Sequence, residues 1–321
     1  MGEFELIRNY FAAAPCAQPG EGVALGIGDD CALLSVPAGE QLAVSTDTLV
    51  AGVHFPDACD PFLLGQRALG VSASDLAAMG AKPLAFTLAL TLPEVSAAWL
   101  EAFARGLNLM AQGCSLRLIG GDTTRGPLSI NVTVFGAVPA GMALTRAGAR
   151  PGDLLCVGGA LGDGAGALPL VLNQRSSEAS TTQALLARYW SPQPQLALGQ
   201  ALRGNATSAL DISDGLLADC GHIALASGVR LLIERDRIPM SDALLRFFGR
   251  DEGLNAALSG GDDYVLAFTL PPSRLDSLTS AGWPVSVIGQ VVAGQGVVLL
   301  DDLGQDVTPL TRGYQHFRET R

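Results

Sequence analysis

The feature that most constrains this chain is a repeated junction between an apolar run and an acidic residue set among very small ones. Leu116-Arg117-Leu118-Ile119 reads as a buried strand that runs into Gly120-Gly121-Asp122-Thr123-Thr124 and stops at a carboxylate carried on two glycines. The same grammar recurs at Gly28-Asp29-Asp30, Ser45-Thr46-Asp47-Thr48, Ser72-Ala73-Ser74-Asp75, Asp211-Ile212-Ser213-Asp214-Gly215 and Gly260-Gly261-Asp262-Asp263. Each block taken singly is ordinary vocabulary for turns and helix caps. Their recurrence points to a shared role. Glycine lets backbone approach a bulky ligand, and carboxylates beside hydroxyls supply the hard oxygen atoms that Mg²⁺ prefers. Two carboxylates about 4 Å apart repel by roughly 4 kcal/mol at an effective dielectric near 20, so a cluster of them needs cations or protons. Several of these blocks are therefore expected to converge on magnesium ions holding a nucleotide polyphosphate.

At 321 residues the chain exceeds one average core, and two domains are the first expectation. Although 48% of residues are hydrophobic, no uninterrupted apolar run approaches the roughly eighteen residues that suggest a membrane span. A soluble protein is expected. Met1-Gly2-Glu3-Phe4-Glu5 lacks the basic and apolar regions of a signal peptide, which makes the cytoplasm the default location. The six cysteines form no Cys-x-x-Cys pair and there are only three histidines, so neither a zinc site nor a disulfide scaffold is signalled. A formal charge of −11 opposes binding to nucleic acid or to an anionic membrane. An anionic substrate would want metal ions as intermediaries.

Periodicity predicts mixed elements throughout. A short helix is expected over Glu3 to Phe11, a strand over Leu42 to Val44 delivering Asp47 to its end, and an amphipathic helix over Pro61 to Met79 capped by Gly80. Leu84 to Leu92 and Ser129 to Val138 alternate as strands, with helical spacing over Ser96 to Gln112 between them. Thr145 to Asp153 reads as a hinge, dividing the chain into domains of residues 1–145 and 146–321. Beyond it come strands over Leu154 to Gly158, Ser208 to Ile212, Val229 to Ile233 and Tyr264 to Leu270, and two more between Trp283 and Leu300. Helices are expected over Ala167 to Asn173, Pro194 to Leu202 and Leu216 to Ser227, with Leu170 to Thr182 as loop or fraying helix end. The class is α/β, or mixed α+β, in two lobes.

Gly26-Ile27-Gly28-Asp29-Asp30 matches part of a dinucleotide fingerprint, but no third glycine and no following helix support that reading. There is no Gly-x-x-x-x-Gly-Lys-Ser/Thr and no protein-kinase signature set, so any use of ATP proceeds without the standard phosphate loop. Arg146 is a candidate cation for phosphate, against the commoner reading of an exposed hinge arginine. His54 sits just past the Asp47 strand, within reach of a substrate, whereas His222 reads as structural.

Taken in order, the blocks resemble the thiamine-monophosphate kinases. The resemblance rests on residues 26–33, 45–50 and 74–81, on Gly120-Gly121-Asp122-Thr123-Thr124-Arg125-Gly126-Pro127-Leu128-Ser129, on Leu144-Thr145-Arg146, on Asp211 to Leu216, and on Gly313-Tyr314 with His316-Phe317. It covers nearly the whole chain. It implies transfer of the γ-phosphate of ATP to thiamine monophosphate, giving thiamine diphosphate and ADP. It also implies the aminoimidazole ribonucleotide synthetase-like fold: an N-terminal α/β domain that pairs into a homodimer, a C-terminal α/β domain, and an active site in the cleft between the two. Family roles fall on Asp30, Ser45, Thr46, Asp47, Asp75, Asp122, Asp211 and Asp214 at magnesium, on Gly121, Asp122, Arg146 and Ser213 at ATP, and on His54, Asp262 and Phe317 at the substrate. K⁺ is a further candidate cation.

Transfer is expected to be in line, without a phospho-enzyme, because the acceptor is already a phosphate monoester. Asp47, Asp122 and Arg146 would carry the catalysis, with the metal ions and Arg146 neutralising the approach of two anions. One departure bears on substrate affinity. Where the family reads Gly-Gly-Glu-Asp-Tyr-Glu-Leu, this chain has Gly260-Gly261-Asp262-Asp263-Tyr264-Val265-Leu266, so the substrate-side acid is one methylene shorter. The rival readings are a sister ATP-dependent synthetase of the same superfamily and a non-catalytic, magnesium-dependent nucleotide-binding protein. Selenophosphate synthesis is disfavoured, since Cys16 lacks the context of a reactive glycine-rich loop.

Overall fold

The computed structural model describes residues 3–18, 20–311 and 313–314. The chain begins with α1 (Glu3–Leu6), which passes into a π-helical turn over Ile7–Ala12, and continues through β1 (Val23–Leu25), β2 (Leu33–Leu34), β3 (Glu40–Val50), α2 (Pro61–Ala78), β4 (Lys82–Leu92), α3 (Ala97–Cys114), β5 (Arg117–Arg125) and β6 (Ser129–Pro139). There follow β7 (Leu154–Val157), α4 (Asp163–Val171), α5 (Ala179–Trp190), α6 (Leu196–Leu202), β8 (Ser208–Asp211), α7 (Leu216–Ser227), β9 (Arg230–Glu234), α8 (Asp242–Ser259), β10 (Leu266–Leu270), α9 (Pro272–Ser280), β11 (Ser286–Val292) and β12 (Gly296–Leu300). Contacts gather these into two units, and the division is not a single cut. Residues 190–196 pack with the first unit, and 77–80 with the second.

The first unit is built on a four-stranded sheet in the order β3-β6-β4-β5, antiparallel except for the β4–β5 pair. Alternation along β4 buries Phe86, Leu88 and Leu90 and leaves Thr87 and Ala89 half-buried, as a period-two strand with one covered face requires. Helices α2 and α3 bring Leu64, Leu69, Leu76, Leu100, Phe103 and Leu107 to 1% exposure or less, and each such side chain contributes about 1.5–3 kcal/mol of burial. α3 opens on Ser96, whose side chain accepts the Trp99 N–H at 3.4 Å, and α2 closes at Gly80 with φ of 64°.

Strands β3 and β5 both run further than their sequences predict. β3 pairs with β6 along all eleven residues, from Glu40 opposite Pro139 to Val50 opposite Ser129, so Ser45-Thr46-Asp47-Thr48 lie within the strand and not at its end. β5 carries Gly120-Gly121-Asp122 onward to Arg125 because β4 supplies a parallel partner throughout. Ladder pairing overrides the weak strand preference of glycine and aspartate.

The second unit holds a six-stranded sheet in the order β12-β9-β11-β7-β10-β8, in which only β12–β9 is parallel. Its core includes Leu155, Val157, Leu210, Leu216, Cys220, Ile223, Leu231, Ile233, Ala267 and Ile288. The last two strands flank Gly294 to Gly296 as expected, yet each pairs with β9 and not with the other. Helix α8 was not foreshadowed by periodicity, because Gly249 breaks it with φ of 73° and ψ of −175°. Among the described residues no helix is long and apolar enough to cross a membrane.

Candidate active site

On the covered face of β3, Ser45 and Asp47 point toward α2. The Ser45 hydroxyl donates to Asp75 Oδ2 in a short hydrogen bond, and Asp75 stands on α2 one turn before its end. Burial pushes the Asp47 carboxyl up to about 6, and the neighbouring Asp75 charge pushes it the same way against a hydrogen bond from Ser72. Two like charges are thus brought together in a half-buried place lined by hydroxyls. Thr46 belongs to the other face, where its hydroxyl shares a 2.8 Å hydrogen bond with Thr133, and Thr48 beside it accepts from Asn131 Nδ2 at 2.7 Å. His54 follows the strand. Its Nδ1 accepts the Val50 N–H at 3.0 Å, which puts the ring proton of the neutral imidazole on Nε2 as a donor.

Asp30, Gly121 and Asp122 meet elsewhere in the first unit, around a cavity of about 680 Å³ whose walls also include Asp29, Cys31 and Thr123. β5 comes so close to β4 here that a Cβ added at Gly121 would lie 1.8 Å from the Leu88 carbonyl oxygen. Only glycine fits, which is the physical content of the second glycine in Gly120-Gly121-Asp122. Ser45, Asp47 and Asp75 are not among the walls of this cavity. Among the described residues no three His, Cys, Asp or Glu side chains gather as a metal-ligating group.

In the second unit, β8 delivers Asp211 to a tight loop carrying Ser213 and Asp214 before α7 begins at Leu216. Ser213 is exposed and Asp214 half-buried. Asp219, which sequence reasoning missed, folds back from the first turn of α7 to accept the N–H groups of Ser213, Asp214 and Gly215. Burial pushes its carboxyl up to about 6, with the Asp214 charge adding to the effect and the three N–H donors opposing it. Arg146 is exposed, and the carbonyl beside its side chain accepts the Ser227 hydroxyl at 3.1 Å, which fixes the backbone that presents it.

Asp262 Oδ1 accepts the Tyr264 hydroxyl at 2.8 Å, which ties this acid within its own loop. Both residues adopt left-handed backbone, with φ of 60° and 51°, a conformation that costs non-glycine residues on the order of 1–2 kcal/mol. Backbone bonds from Asp262 to Ser213 and from Tyr264 to Ile212 hold it in place. Asp263, whose role sequence reasoning also missed, accepts from Gly162 and Gly164 at the start of α4. Phe317 lies outside the described residues, as does His316.

A first unit on a four-stranded sheet and a second on a six-stranded sheet make up a two-domain AIR synthase related protein. Residues 28–138 match the family model of the AIR synthase related protein N-terminal domain, and residues 150–302 match that of the C-terminal domain. Thiamine-monophosphate kinase of Escherichia coli (strain K12) is 47% identical over 322 residues, covering 98% of each chain. The crystal structure of thiamine-monophosphate kinase from Stenotrophomonas maltophilia K279a is 44% identical with a TM-score of 0.86, covering 96% of this chain and 98% of that one. AaThiL complexed with AMPPCP and TMP is 31% identical with a TM-score of 0.80, covering 88% of this chain and 89% of that one. The chain belongs to the thiamine-monophosphate kinase family.

Proposed function

We propose that the chain transfers the γ-phosphoryl group of ATP to thiamine monophosphate, releasing thiamine diphosphate and ADP. The observation that carries the reading is the Asp47–Asp75 pair, with the Ser45 hydroxyl bonded to it, in a family member whose relative AaThiL has been solved with AMPPCP and TMP. A phosphate oxygen of the acceptor forms the new bond to the γ-phosphorus as the bond to the β,γ-bridging oxygen breaks, and ADP leaves with the electron pair. The acceptor is already ionised, so no side chain has to remove a proton.

The donor set suits magnesium. Asp47 and Asp75 are hard oxygen ligands whose mutual repulsion favours a cation, and Mg²⁺ asks for only one or two protein carboxylates beside water and phosphate oxygens. Held there, the ion would supply positive charge that offsets the charge of the phosphates. In the first unit, Asp30, Ser45, Thr46, Asp47, Asp75 and Asp122 are proposed to hold magnesium, with Thr46 acting through its backbone carbonyl because its side chain bonds to Thr133. Asp211 and Asp214 take the same role in the second. Gly121, Asp122, Arg146 and Ser213 bind the nucleotide, and His54, Asp262 and Phe317 bind the thiamine phosphate. K⁺ stands as an accessory cation.

Residues 1–145 are read as the domain of metal, nucleotide and dimer contacts, and residues 146–321 as the domain that completes the nucleotide and substrate contacts. Homodimerisation is proposed through the outer face of the first sheet, where Leu42 is 44% and Val44 is 55% exposed on an edge strand. A cytoplasmic location accords with six free cysteines, of which burial pushes Cys16 to about 11 and Cys114 and Cys156 to about 12. The test is direct: incubation with ATP, Mg²⁺ and thiamine monophosphate should yield thiamine diphosphate and ADP in equal amounts. ADP without thiamine diphosphate would point to a sister synthetase, and neither product to a nucleotide-binding protein.

A further inference from the structure

Three separate segments of the second unit grip four consecutive residues of its aspartate loop, Ile212 to Gly215. The N–H groups of Ser213, Asp214 and Gly215 converge on one atom, Asp219 Oδ2, at 3.0, 3.0 and 3.1 Å. In the opposite direction, the carbonyls of Ile212, Ser213 and Asp214 accept the N–H groups of Tyr264, Asp262 and Tyr314 at 2.8, 2.9 and 2.9 Å. Ser213 and Asp214 therefore have both backbone polar groups fixed. The segment from Gly313 lies so close that a Cβ there would sit 2.6 Å from the Asp214 oxygen and 2.6 Å from Ala218 Cβ.

Asp219 is the charged member of this clamp and is only 4% exposed. Its neighbours on the inner side of α7 are Leu216, Leu217, Cys220 and Ile223, all at 1% or less, where an apolar residue would meet the needs of packing alone. A charge at such a place is costly unless hydrogen-bonded, and its bonds go to the loop that presents Ser213 and Asp214.

We propose that Asp219 is a positioning residue for the phosphoryl transfer, its carboxylate setting the Ser213–Gly215 backbone so that Ser213 and Asp214 are in place before nucleotide arrives. This rests on the nucleotide and metal roles assigned above to those two residues. Asparagine at 219 keeps an oxygen acceptor and the side-chain shape but removes the charge that makes the three bonds strong. Alanine removes the acceptor and leaves three donors to find other partners.

The experiment compares Asp219→Asn and Asp219→Ala with the unaltered chain by steady-state kinetics, by AMPPCP binding in Mg²⁺, and by hydrogen exchange at the Ser213, Asp214 and Gly215 amides. Losing about 1.4 kcal/mol of loop ordering in Asp219→Asn should lower kcat/KM for magnesium-bound ATP about tenfold and leave KM for thiamine monophosphate within about twofold. Exchange at the three amides should quicken about tenfold while amides of β7 and β10 keep their protection. If Asp219→Ala fails to fold, Asp219→Asn decides alone. Kinetics and exchange like those of the unaltered protein overturn the proposal. So does uniformly faster exchange across the second unit with equal loss of active protein, which marks a purely structural acid. If the unaltered chain forms no thiamine diphosphate, the proposed function fails on that result. AMPPCP binding and amide exchange still judge Asp219, where weaker binding with selective exchange supports its role and no change in either refutes it.

Discussion

Asp263 receives the Gly162 N–H with both of its carboxylate oxygens, each at 2.9 Å, and thereby ties the Gly260–Tyr264 segment to the start of a helix a hundred residues earlier in the chain. Gly162 and Gly164 are buried, so their N–H groups depend on this acid. Asp263→Ala should cost about 2–6 kcal/mol in urea unfolding, from two donors left unsatisfied at roughly 1–3 kcal/mol each. A loss below about 0.5 kcal/mol would show that water replaces the acid freely.

The same residue makes stability depend on pH. Burial, followed by the charges of Asp163 and Asp262, pushes the Asp263 carboxyl up to about 8 against the Gly162 and Gly164 bonds. A carboxyl raised in the folded state contributes stability that is complete below its unfolded pKa near 4 and is lost as pH rises toward 8. Asp263→Asn lacks that slope. The advantage of the unaltered protein over Asp263→Asn in urea unfolding should therefore shrink steadily from pH 5 to pH 8. An advantage that grows over this range would mean that the ionised form is the one the glycines hold.

The Asp47–Asp75 pair predicts a divergence between stability and activity. Removing one of two mutually repelling acids should raise the melting temperature of Asp47→Asn in magnesium-free buffer, while turnover falls by about a hundredfold or more. The rise in melting temperature that magnesium and AMPPCP give the unaltered chain should be reduced in the variant. Normal turnover of Asp47→Asn in saturating Mg²⁺ would remove this residue from the metal site.

Gly121→Ala places a methyl group where the Leu88 carbonyl already stands. The β4–β5 ladder must part locally, displacing Asp122 from the cavity wall. ATP affinity should fall at least tenfold with the far-ultraviolet circular dichroism spectrum nearly unchanged, as calorimetric titration with AMPPCP would show.

At Asp262, restoring the family length tests the effect of the missing methylene. Asp262→Glu should lower KM for thiamine monophosphate several-fold at nearly constant kcat, since the role proposed for this acid is in binding the acceptor and not the transferred group. Tyr264→Phe, which removes the hydroxyl bonded to Asp262, should cost about 1 kcal/mol of stability. An Asp262→Glu variant with raised KM would show that this chain has adapted its pocket to the shorter acid.

Much of this architecture could be read from residue order. The alternation of Leu84 to Leu92, the Pro61–Met79 helix with its glycine cap and the Leu216–Ser227 helix appear where periodicity puts them, because each buries one regular face. The lengths of β3 and β5 could not be read, since pairing partners distant in sequence carry them through Asp47, Gly120, Gly121 and Asp122, which have little strand preference of their own. Thr46 and Asp47 are neighbours in sequence, yet adjacency within a strand sends their side chains to opposite faces, which residue order alone does not display. The roles of Asp219 and of Asp263 within the Gly260–Asp263 block are illegible for a related reason: the partners of both are backbone N–H groups, and backbone leaves no signature in a sequence. The one clue was an acid on the apolar side of α7, beside Leu216 and Cys220.

The eleven paired residues of β3 and β6 also bear on how this protein can go wrong. Sliding β3 by a single position would turn Ser45 and Asp47 out toward Thr133 and Asn131 and send Thr46 and Thr48 inward to Asp75. Such a misfolded chain would keep nearly all its ladder bonds and yet have no acidic partner for Asp75, so faithful registration of one strand decides whether a folded molecule is also an active one.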